Sequence, residues 1–351
     1  MLGRLALVLG SILFSLIVLE LGTRLVVDGP AGLVHWPNLV LLSREQSKSS
    51  AGPAPFGYDA RLGFVPRPGR LDARRSYGPN GYRATPAPDG IALAEPPILV
   101  VGDSYAHGDE LADGETWASR LQAFSGRRVV NAAVSAYGLD QIVLRAELAA
   151  ADVKPAALVL SFIPDDTRRS EMRRVWGAEK PYFEIAGGKL VERNVPVPPS
   201  PRPADTLDVW QWLFGWSELV DVVLKHQGWQ YEWAVDHERV LPRGEGVRLA
   251  CFLFKRLAAL DLPTLVVAEH DPYTWQNADY AGEKRAISAA VLACARQAGF
   301  ATLDLFDTID AAVKAQGLAR IYGVNHPSPA GAALVARRIA SELEADHIPP
   351  R

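Results

Sequence analysis

Cysteine is scarce in this sequence. Only two of the 351 residues are cysteines, Cys251 and Cys294, and neither a Cys-x-x-Cys pair nor the Cys/His spacing of a zinc site occurs. This excludes a structural metal site built on cysteine, and no motif predicts a cofactor. Two interpretations of the pair stay open. They are two small buried apolar side chains in helices, or they form one disulfide if the domain is exported to an oxidising compartment.

Long runs of one charge are also missing. The 37 basic and 40 acidic residues are spread along the chain, and the formal net charge is −3. Nothing in this distribution favours nucleic acid as a partner. No repeat of fixed period occurs, which argues against a solenoid or a propeller. With 48% hydrophobic and 22% charged residues, the composition is that of a globular protein with one large domain or two small ones.

The amino terminus carries an uncharged apolar run, LALVLGSILFSLIVL, at residues 5–19. A signal peptide core has about this length, whereas a membrane span needs about 20 residues. No A-x-A cleavage site follows, and Glu20 and Arg24 are spaced to pair while the helix continues. These details predict an uncleaved anchor over residues 1–27. Arg4 precedes the run, so the rest of the chain is expected outside the cytoplasm, on the periplasmic side of the inner membrane. The alternative is a buried amphipathic helix of a soluble protein.

The rest of the chain divides into a Pro/Gly-rich approach segment, residues 28–96, and a regular domain, residues 97–345. In that domain five short β-branched runs alternate with stretches of helical period. The expected strands are 98–101, 128–131, 157–161, 264–268 and 302–305, and the expected helices are 115–124, 138–151, 246–260, 282–298 and 329–343. Such alternation predicts a three-layer α/β/α domain with a five-stranded parallel sheet, and a site at the carboxyl ends of the strands.

An insertion at about residues 167–246 breaks the alternation. It contains a proline cluster at 196–203 and five tryptophans, Trp210, Trp212, Trp216, Trp229 and Trp233. One interpretation is a small helical subdomain with tryptophan in its core. The other places these side chains in a substrate groove or at a membrane interface.

A serine follows the first expected strand, in the tripeptide Gly102-Asp103-Ser104. A hydroxyl at the carboxyl end of a parallel strand, with a helix to follow, lies in the crevice where ligands bind. The backbone N–H of Ser104 then points towards the group that its own hydroxyl would attack. The tripeptide is common by chance, so its position after the strand carries the interpretation.

Four segments in order resemble the blocks of the SGNH/GDSL hydrolases. They are residues 98–104, 129–138, 158–166 and 325–331. The resemblance covers about residues 97–345 and implies a flavodoxin-like SGNH fold. It also implies that Ser104 is the nucleophile, that Gly138 lends a backbone N–H to the oxyanion hole, and that His326 is the base. The approach segment, with Leu62-Gly63-Phe64 and Asn80-Gly81-Tyr82-Arg83, resembles that of the membrane-anchored bacterial members.

Two positions depart from the family pattern. Asp165 replaces the usual asparagine of the third block, and an ionised carboxylate accepts hydrogen bonds but cannot donate one to an oxyanion. Gly323 replaces the aspartate expected three residues before the histidine, so the group that orients His326 is missing from its place. A backbone carbonyl could hold the ring, and three side chains are further candidates: Asn325, Glu269 and Asp271.

Other polar residues near these blocks have no assigned role. His107 is expected either to contact substrate or to face water. The arginines after Asp166 are expected to form a solvated face, with pairing to the carboxylates or reception of an anionic substrate as the alternative. These are Arg168, Arg169, Arg173 and Arg174.

The sequence therefore predicts a membrane-anchored, extracytoplasmic serine hydrolase that cleaves acyl or acetyl esters of carbohydrate or lipid. Its partners would be a small-molecule or glycan ester and the membrane, without nucleic acid, cofactor or metal. Two alternatives use the same residues. One is an impaired protein of this fold that binds acylated glycan, and the other is an acyltransferase acting on surface polysaccharide.

Overall fold

The computed structural model describes residues 2–42, 56–70, 72–87, 92–175, 178–199, 207–227 and 244–348. Trp229, Trp233 and the last part of the proline cluster lie outside these ranges. The chain forms two compact units. The first contains Met1–Pro53, Arg173–Glu179 and Ser200–Leu241, and the second contains Ala54–Met172, Lys180–Pro199 and Pro242–Arg351.

Strands and helices alternate through most of the second unit. In chain order the strands are β1 (Phe56–Asp59), β2 (Gly63–Pro66), β3 (Gly69–Arg70), β4 (Ser76–Tyr77), β5 (Ala94–Val101), β6 (Arg127–Asn131), β7 (Ala157–Phe162), β8 (Arg174–Val175), β9 (Ala178–Glu179), β10 (Tyr182–Ala186), β11 (Lys189–Arg193), β12 (Thr264–Ala268) and β13 (Ala301–Asp304). The helices are α1 (Leu2–Val27), α2 (Ser104–His107), α3 (Trp117–Ser125), α4 (Leu139–Val153), α5 (Asp165–Ser170), α6 (Val209–Phe214), α7 (Glu218–His226), α8 (Gly246–Leu257), α9 (Ala278–Gln297), α10 (Phe306–Gln316), α11 (Leu318–Ile321) and α12 (Pro329–Ala345).

Five parallel strands form the central sheet of the second unit, in the order β13-β12-β7-β5-β6. Counted among themselves they have the order 2-1-3-4-5 of flavodoxin-like folds. The order reverses between β5 and β7, so the crevice of the sheet opens beyond their carboxyl ends. Ser104 follows β5 and Asp165 follows β7, which brings both segments to this crevice.

The five strands form because their residues are apolar on both faces. β7 and β12 are buried along their whole length, as expected for a parallel sheet covered by helices on both sides. Ile98, Val100, Val159 and Val267 pack in the core on the face where α3 and α12 lie. The predicted α/β fold is confirmed, and each expected strand and helix is present within four residues of its expected ends.

The two cysteines form a disulfide between α8 and α9, with a Cα–Cα distance of 4.7 Å. Of the two interpretations left open by the sequence, that of two separate buried thiols is therefore wrong. The bond crosslinks two helices that pack on each other beside the sheet.

The first unit is built around the apolar helix α1. Residues Gly3–Val27 form the one helix in the described ranges that is long and apolar enough to cross a membrane, and none of its most apolar stretch is buried. The end of α1 packs on α7. Trp210, Trp212 and Trp216 are 61%, 60% and 43% exposed, so the interpretation that these tryptophans form a core is wrong for the three that the structure describes.

Candidate active site

Ser104 begins α2 directly after β5. Asp103 caps this helix, because its Oδ1 accepts a hydrogen bond of 2.9 Å from the Tyr105 N–H. Gly102 is required by close packing, since a Cβ there would lie 2.6 Å from the Ala106 Cβ and 2.9 Å from the Ser161 carbonyl oxygen. The turn thus places the serine hydroxyl at the strand end, where it is 7% exposed.

His326 lies next to Ser104, on the loop that precedes α12. Its Nε2 is 2.9 Å from the Ser104 Oγ, and its Nδ1 is 3.0 Å from the Glu110 Oε1. With the ring proton on Nδ1, His326 donates to Glu110 and accepts from the serine hydroxyl. Serine, imidazole and carboxylate therefore form one hydrogen-bonded chain, the arrangement that activates a serine nucleophile.

Glu110 orients His326, and none of the three candidates from the sequence does so. Glu269 accepts a hydrogen bond from Ser161 instead, and Asp271 accepts one from Tyr280. Asn325 contributes backbone contacts, because its N–H donates to Glu110 and its carbonyl accepts from the Tyr105 hydroxyl. The expectations for these side chains are thus corrected.

Gly323 makes room for Glu110. A Cβ on Gly323 would lie 2.6 Å from the Glu110 Oε2, so an aspartate at this position would collide with the glutamate. The Glu110 carboxylate also accepts the N–H of Val324 at 3.1 Å. The Glu110 carboxylate, from the loop after α2, therefore occupies the space that the glycine at position 323 leaves open.

The loop that carries Glu110 is held by Arg83, from the approach segment. Arg83 is 2% exposed, and its guanidinium donates to the carbonyl oxygens of His107, Gly108 and Leu111 at 2.9, 2.6 and 2.6 Å. Glu110 itself has a φ of 69°, in the left-handed region that non-glycine residues adopt at a cost. Arg83 thus fixes the backbone on both sides of this residue.

A second set of buried polar side chains supports the same loop. The His107 Nδ1 lies 2.5 Å from the Asp109 Oδ1, the Ser135 hydroxyl donates to that oxygen at 2.7 Å, and the His107 Nε2 lies 3.0 Å from the Tyr77 hydroxyl. Burial acts to raise the pKa of Asp109, but the combined effects of His107, His326 and the Ser135 hydroxyl lower it below its usual range. His107 is 2% exposed, so the expectation that it faces water is wrong.

Gly138 ends the loop after β6 and caps α4. A Cβ on Gly138 would lie 2.8 Å from both the Arg169 carbonyl carbon and the Ser170 nitrogen, which explains the glycine. The same loop is tied to the nucleophile turn, because the Val134 N–H donates to the Gly102 carbonyl at 3.0 Å. The segments of Gly138 and Ser104 thus meet at the crevice.

Asp165 begins α5 and is engaged by two arginines. Arg168 donates to both of its carboxylate oxygens at 2.8 and 3.1 Å, and the Arg169 guanidinium lies 3.1 Å from it. Arg169 also donates to Asp166 at 2.8 Å and lies 3.7 Å from Asp103. Because Arg169 is 8% exposed, the expectation of a solvated face is wrong for this arginine.

The carboxyl groups around Arg169 have shifted pKa values. Burial raises the pKa of Asp103, although the Arg169 guanidinium acts in the opposite direction. Burial and the neighbouring Asp103 raise the pKa of Asp166 well above its usual range.

Comparisons with known proteins give weak likenesses. No protein-family model and no curated protein matches the sequence. The solved structures include LAE5, an alpha/beta hydrolase enzyme from the metagenome of Lake Arreo, Spain, which is 13% identical, with 72% of this chain and 97% of that chain covered at a TM-score of 0.45. A catalytic mutant of Axe2, an acetylxylan esterase from Geobacillus stearothermophilus, is 14% identical, with 72% and 96% covered at a TM-score of 0.44.

A third similar structure is a member of the lipolytic protein G-D-S-L family from Veillonella parvula DSM 2008. It is 12% identical, with 70% of this chain and 96% of that chain covered at a TM-score of 0.38. It comes from the family that the sequence motifs resemble. All three TM-scores are below 0.5.

Proposed function

We propose that the chain is a membrane-anchored serine hydrolase that cleaves ester bonds outside the cytoplasm. The observation that carries this proposal is the hydrogen-bonded chain from Ser104 through His326 to Glu110, with distances of 2.9 and 3.0 Å. These distances lie within hydrogen-bond reach, as a nucleophile and its general base require.

The reaction follows from the positions of these groups. The Ser104 Oγ attacks the ester carbonyl carbon while the His326 Nε2 takes the hydroxyl proton, and Glu110 stabilises the resulting imidazolium. The tetrahedral intermediate collapses as the imidazolium protonates the leaving alcohol, which leaves an acyl-serine. Water then attacks the acyl carbon while His326 takes a proton from it. The imidazolium returns this proton to the Ser104 Oγ as the acyl–oxygen bond breaks, which releases the acid and the free serine.

The oxyanion of the intermediate is assigned to the backbone N–H groups of Ser104 and Gly138. Each donor of this kind contributes roughly 3 kcal/mol to stabilising the transition state. Asp165, at the place of the family's asparagine, is held by Arg168 and Arg169. These two cations offset the charge of the carboxylate, so its presence is compatible with a negatively charged intermediate.

The proposed location rests on the end of α1. Glu20 accepts hydrogen bonds from the Ser217 hydroxyl and the Glu218 N–H at 2.6 and 2.9 Å, and Arg24 donates to the Trp216 carbonyl. Cleavage of a signal peptide would remove these partners from the folded first unit, which favours an uncleaved anchor. The disulfide supports an oxidising, extracytoplasmic compartment. Acyl or acetyl esters of carbohydrate or lipid at the cell surface are the substrate class that this location favours.

The first test uses the full chain in detergent micelles with p-nitrophenyl acetate and a fluorophosphonate probe. We expect turnover and labelling of Ser104, and Ser104→Ala should lose both, with a fall in kcat of about 1000-fold or more. Ser119→Ala is the control, since Ser119 lies on α3 and should leave the rate within about twofold. Absence of turnover and of labelling in the wild type would favour the impaired, glycan-binding alternative.

A further inference from the structure

The short helix α6 exposes large apolar side chains around its whole circumference. None of its residues is buried. Val209, Trp210, Trp212, Leu213 and Phe214 are between 43% and 62% exposed. Trp216, directly after the helix, adds a further indole that is 43% exposed. An apolar surface this dense marks an interaction site rather than an ordinary solvated helix.

Polar contacts tie the segment after α6 and the start of α7 to the end of α1. Glu20 accepts the N–H groups of Glu218 and Leu219, at the start of α7. Arg24 is completely buried. It pairs with Glu20 at 2.7 Å, donates to the Trp216 carbonyl, and lies over the Trp36 ring at 3.8 Å. The segment between α6 and α7 is thereby fixed at the level of residues 20–24 of the apolar helix.

The length of α1 places that level at the membrane boundary. The uncharged run of residues 5–19 spans only about 22 Å at 1.5 Å per residue, whereas a hydrocarbon core is about 30 Å thick. About 20 residues are needed, so a span that begins at Leu5 ends near Arg24. The exposed surface of α1 stays apolar to this depth and beyond, since Leu25, Val26 and Val27 are 49%, 85% and 50% exposed.

We infer that α6 and Trp216 bind the lipid bilayer as an interfacial element beside the anchor, with the tryptophan and phenylalanine rings among the headgroups and upper acyl chains. Tryptophan is the residue that membrane interfaces favour, because its ring is apolar and its N–H is polar. Glu20 and Arg24 pair with each other, and Glu20 also accepts hydrogen bonds from the start of α7. Their charges are therefore compensated within the protein and are not exposed to the lipid. This inference rests on the proposed anchoring of α1.

Site-directed spin labelling of the full chain in phosphatidylcholine/phosphatidylglycerol nanodiscs tests the inference. Both native cysteines are in the disulfide, so one introduced cysteine carries the only label. Leu213→Cys reports α6, Phe14→Cys reports the anchor, and Lys314→Cys, on a side chain that is 75% exposed, gives the reference in water. Collision rates with oxygen, which concentrates in lipid, and with a water-soluble nickel complex are compared at each site.

We expect the ratio of oxygen to nickel collisions at Leu213 to exceed that at Lys314 several-fold and to lie below that at Phe14, because an interfacial label is shallower than one in the middle of the span. A nickel-accessible label at Leu213 with a lipid-exposed label at Phe14 would overturn the inference and leave the anchor intact. A Leu213 label closed to both reagents would also overturn it, because a protein surface would then cover α6. Nickel access at Phe14 would instead refute the anchoring itself.

Discussion

Glu110 and Gly323 together replace the aspartate that the family pattern expects before the histidine. The glutamate reaches His326 from the loop after α2, and the glycine leaves the space that its carboxylate occupies. The carboxylate also accepts two backbone N–H groups of the His326 loop. One side chain therefore both shapes this loop and orients the imidazole.

Removing the charge of Glu110 should slow catalysis. The amide of Glu110→Gln can donate to the His326 Nδ1, which favours the ring tautomer that cannot accept the serine proton. We expect kcat to fall about 100-fold or more with little change in KM. Glu95→Gln, on an exposed residue paired with Arg128, is the matched control and should keep the wild-type rate. Equal rates for the two variants would contradict the assignment.

Moving the carboxylate from position 110 to position 323 tests whether the two positions compensate each other. Gly323→Asp alone should impair the site, because the new side chain meets the Glu110 carboxylate. Combining it with Glu110→Ala should restore an aspartate beside His326, so the double variant is expected to exceed Glu110→Ala in kcat by tenfold or more. A double variant no faster than either single variant would show that the positions do not compensate each other.

Glu269, directly after β12, is a buried acid that is 2% exposed. Burial raises its pKa to about 8, although the hydrogen bond from Ser161 acts in the opposite direction. This folded-state pKa lies above the usual value of 4.5. At a pH between these two values, Glu269 is protonated in the folded protein and ionised in the unfolded chain. The contribution of Glu269 to stability therefore falls as pH rises from about 4.5 to about 8.

Glu269→Gln should weaken this dependence on pH, because the amide does not titrate and retains an acceptor for Ser161. Between pH 5 and 8 the free energy of unfolding should decline less steeply than in the wild type, by up to about 1.4 kcal/mol per pH unit. Urea unfolding of the full chain in detergent, followed at both pH values, measures the difference. The control Glu95→Gln should show the wild-type change in unfolding free energy with pH. The prediction fails if Glu269→Gln shows that same change.

At the scale of elements, the approach segment contributes to the site through Arg83. The Arg83 N–H donates to the Asn131 carbonyl at the end of β6 at 2.9 Å, and its guanidinium holds three carbonyl groups of the Glu110 loop. A loop with a left-handed glutamate needs such support, since its backbone geometry is unfavourable without it. The segment before the sheet thus positions the loop that carries Glu110.

Arg83→Lys should loosen this loop, because an ammonium cannot reach all three carbonyl groups at once. Each buried carbonyl left unpaired costs about 1–3 kcal/mol. We expect a lower Tm together with a fall in kcat of about tenfold at temperatures where the variant remains folded. Arg75→Lys, whose arginine forms an exposed pair with Asp72, should change neither. A variant that loses stability and keeps its kcat would limit Arg83 to a structural role.

At the scale of the whole molecule, the disulfide links two cysteines that are 43 residues apart in sequence. Crosslinking a loop of this length restricts the unfolded chain and stabilises the fold by about 4 kcal/mol in the chain-entropy model. The Cys251→Ala/Cys294→Ala variant should therefore have a lower Tm. Dithiothreitol should lower the Tm of the wild type to a similar value and leave the variant unchanged. Equal Tm values for oxidised wild type and variant would contradict this role.

The sequence by itself determined the α/β architecture. Its strands are continuous apolar runs, and its helices have a clear amphipathic period, so each local pattern agrees with the element it forms. The positions of Ser104 and His326 were also predicted, because each lies in a short block next to a strand end or a helix start. Signals of this kind involve residues that are close together in sequence, so the sequence alone reveals them.

Only the tertiary structure decided which groups surround the histidine. Glu110 lies 216 residues from His326, and no spacing along the chain reports a contact made by two loops that meet across the sheet edge. Glu269 and Asp271 were candidates because they too follow a strand, yet each points to another partner. The burial of Arg169, the Arg83 contacts and the cysteine pairing likewise depend on packing between distant segments, which local propensity does not encode.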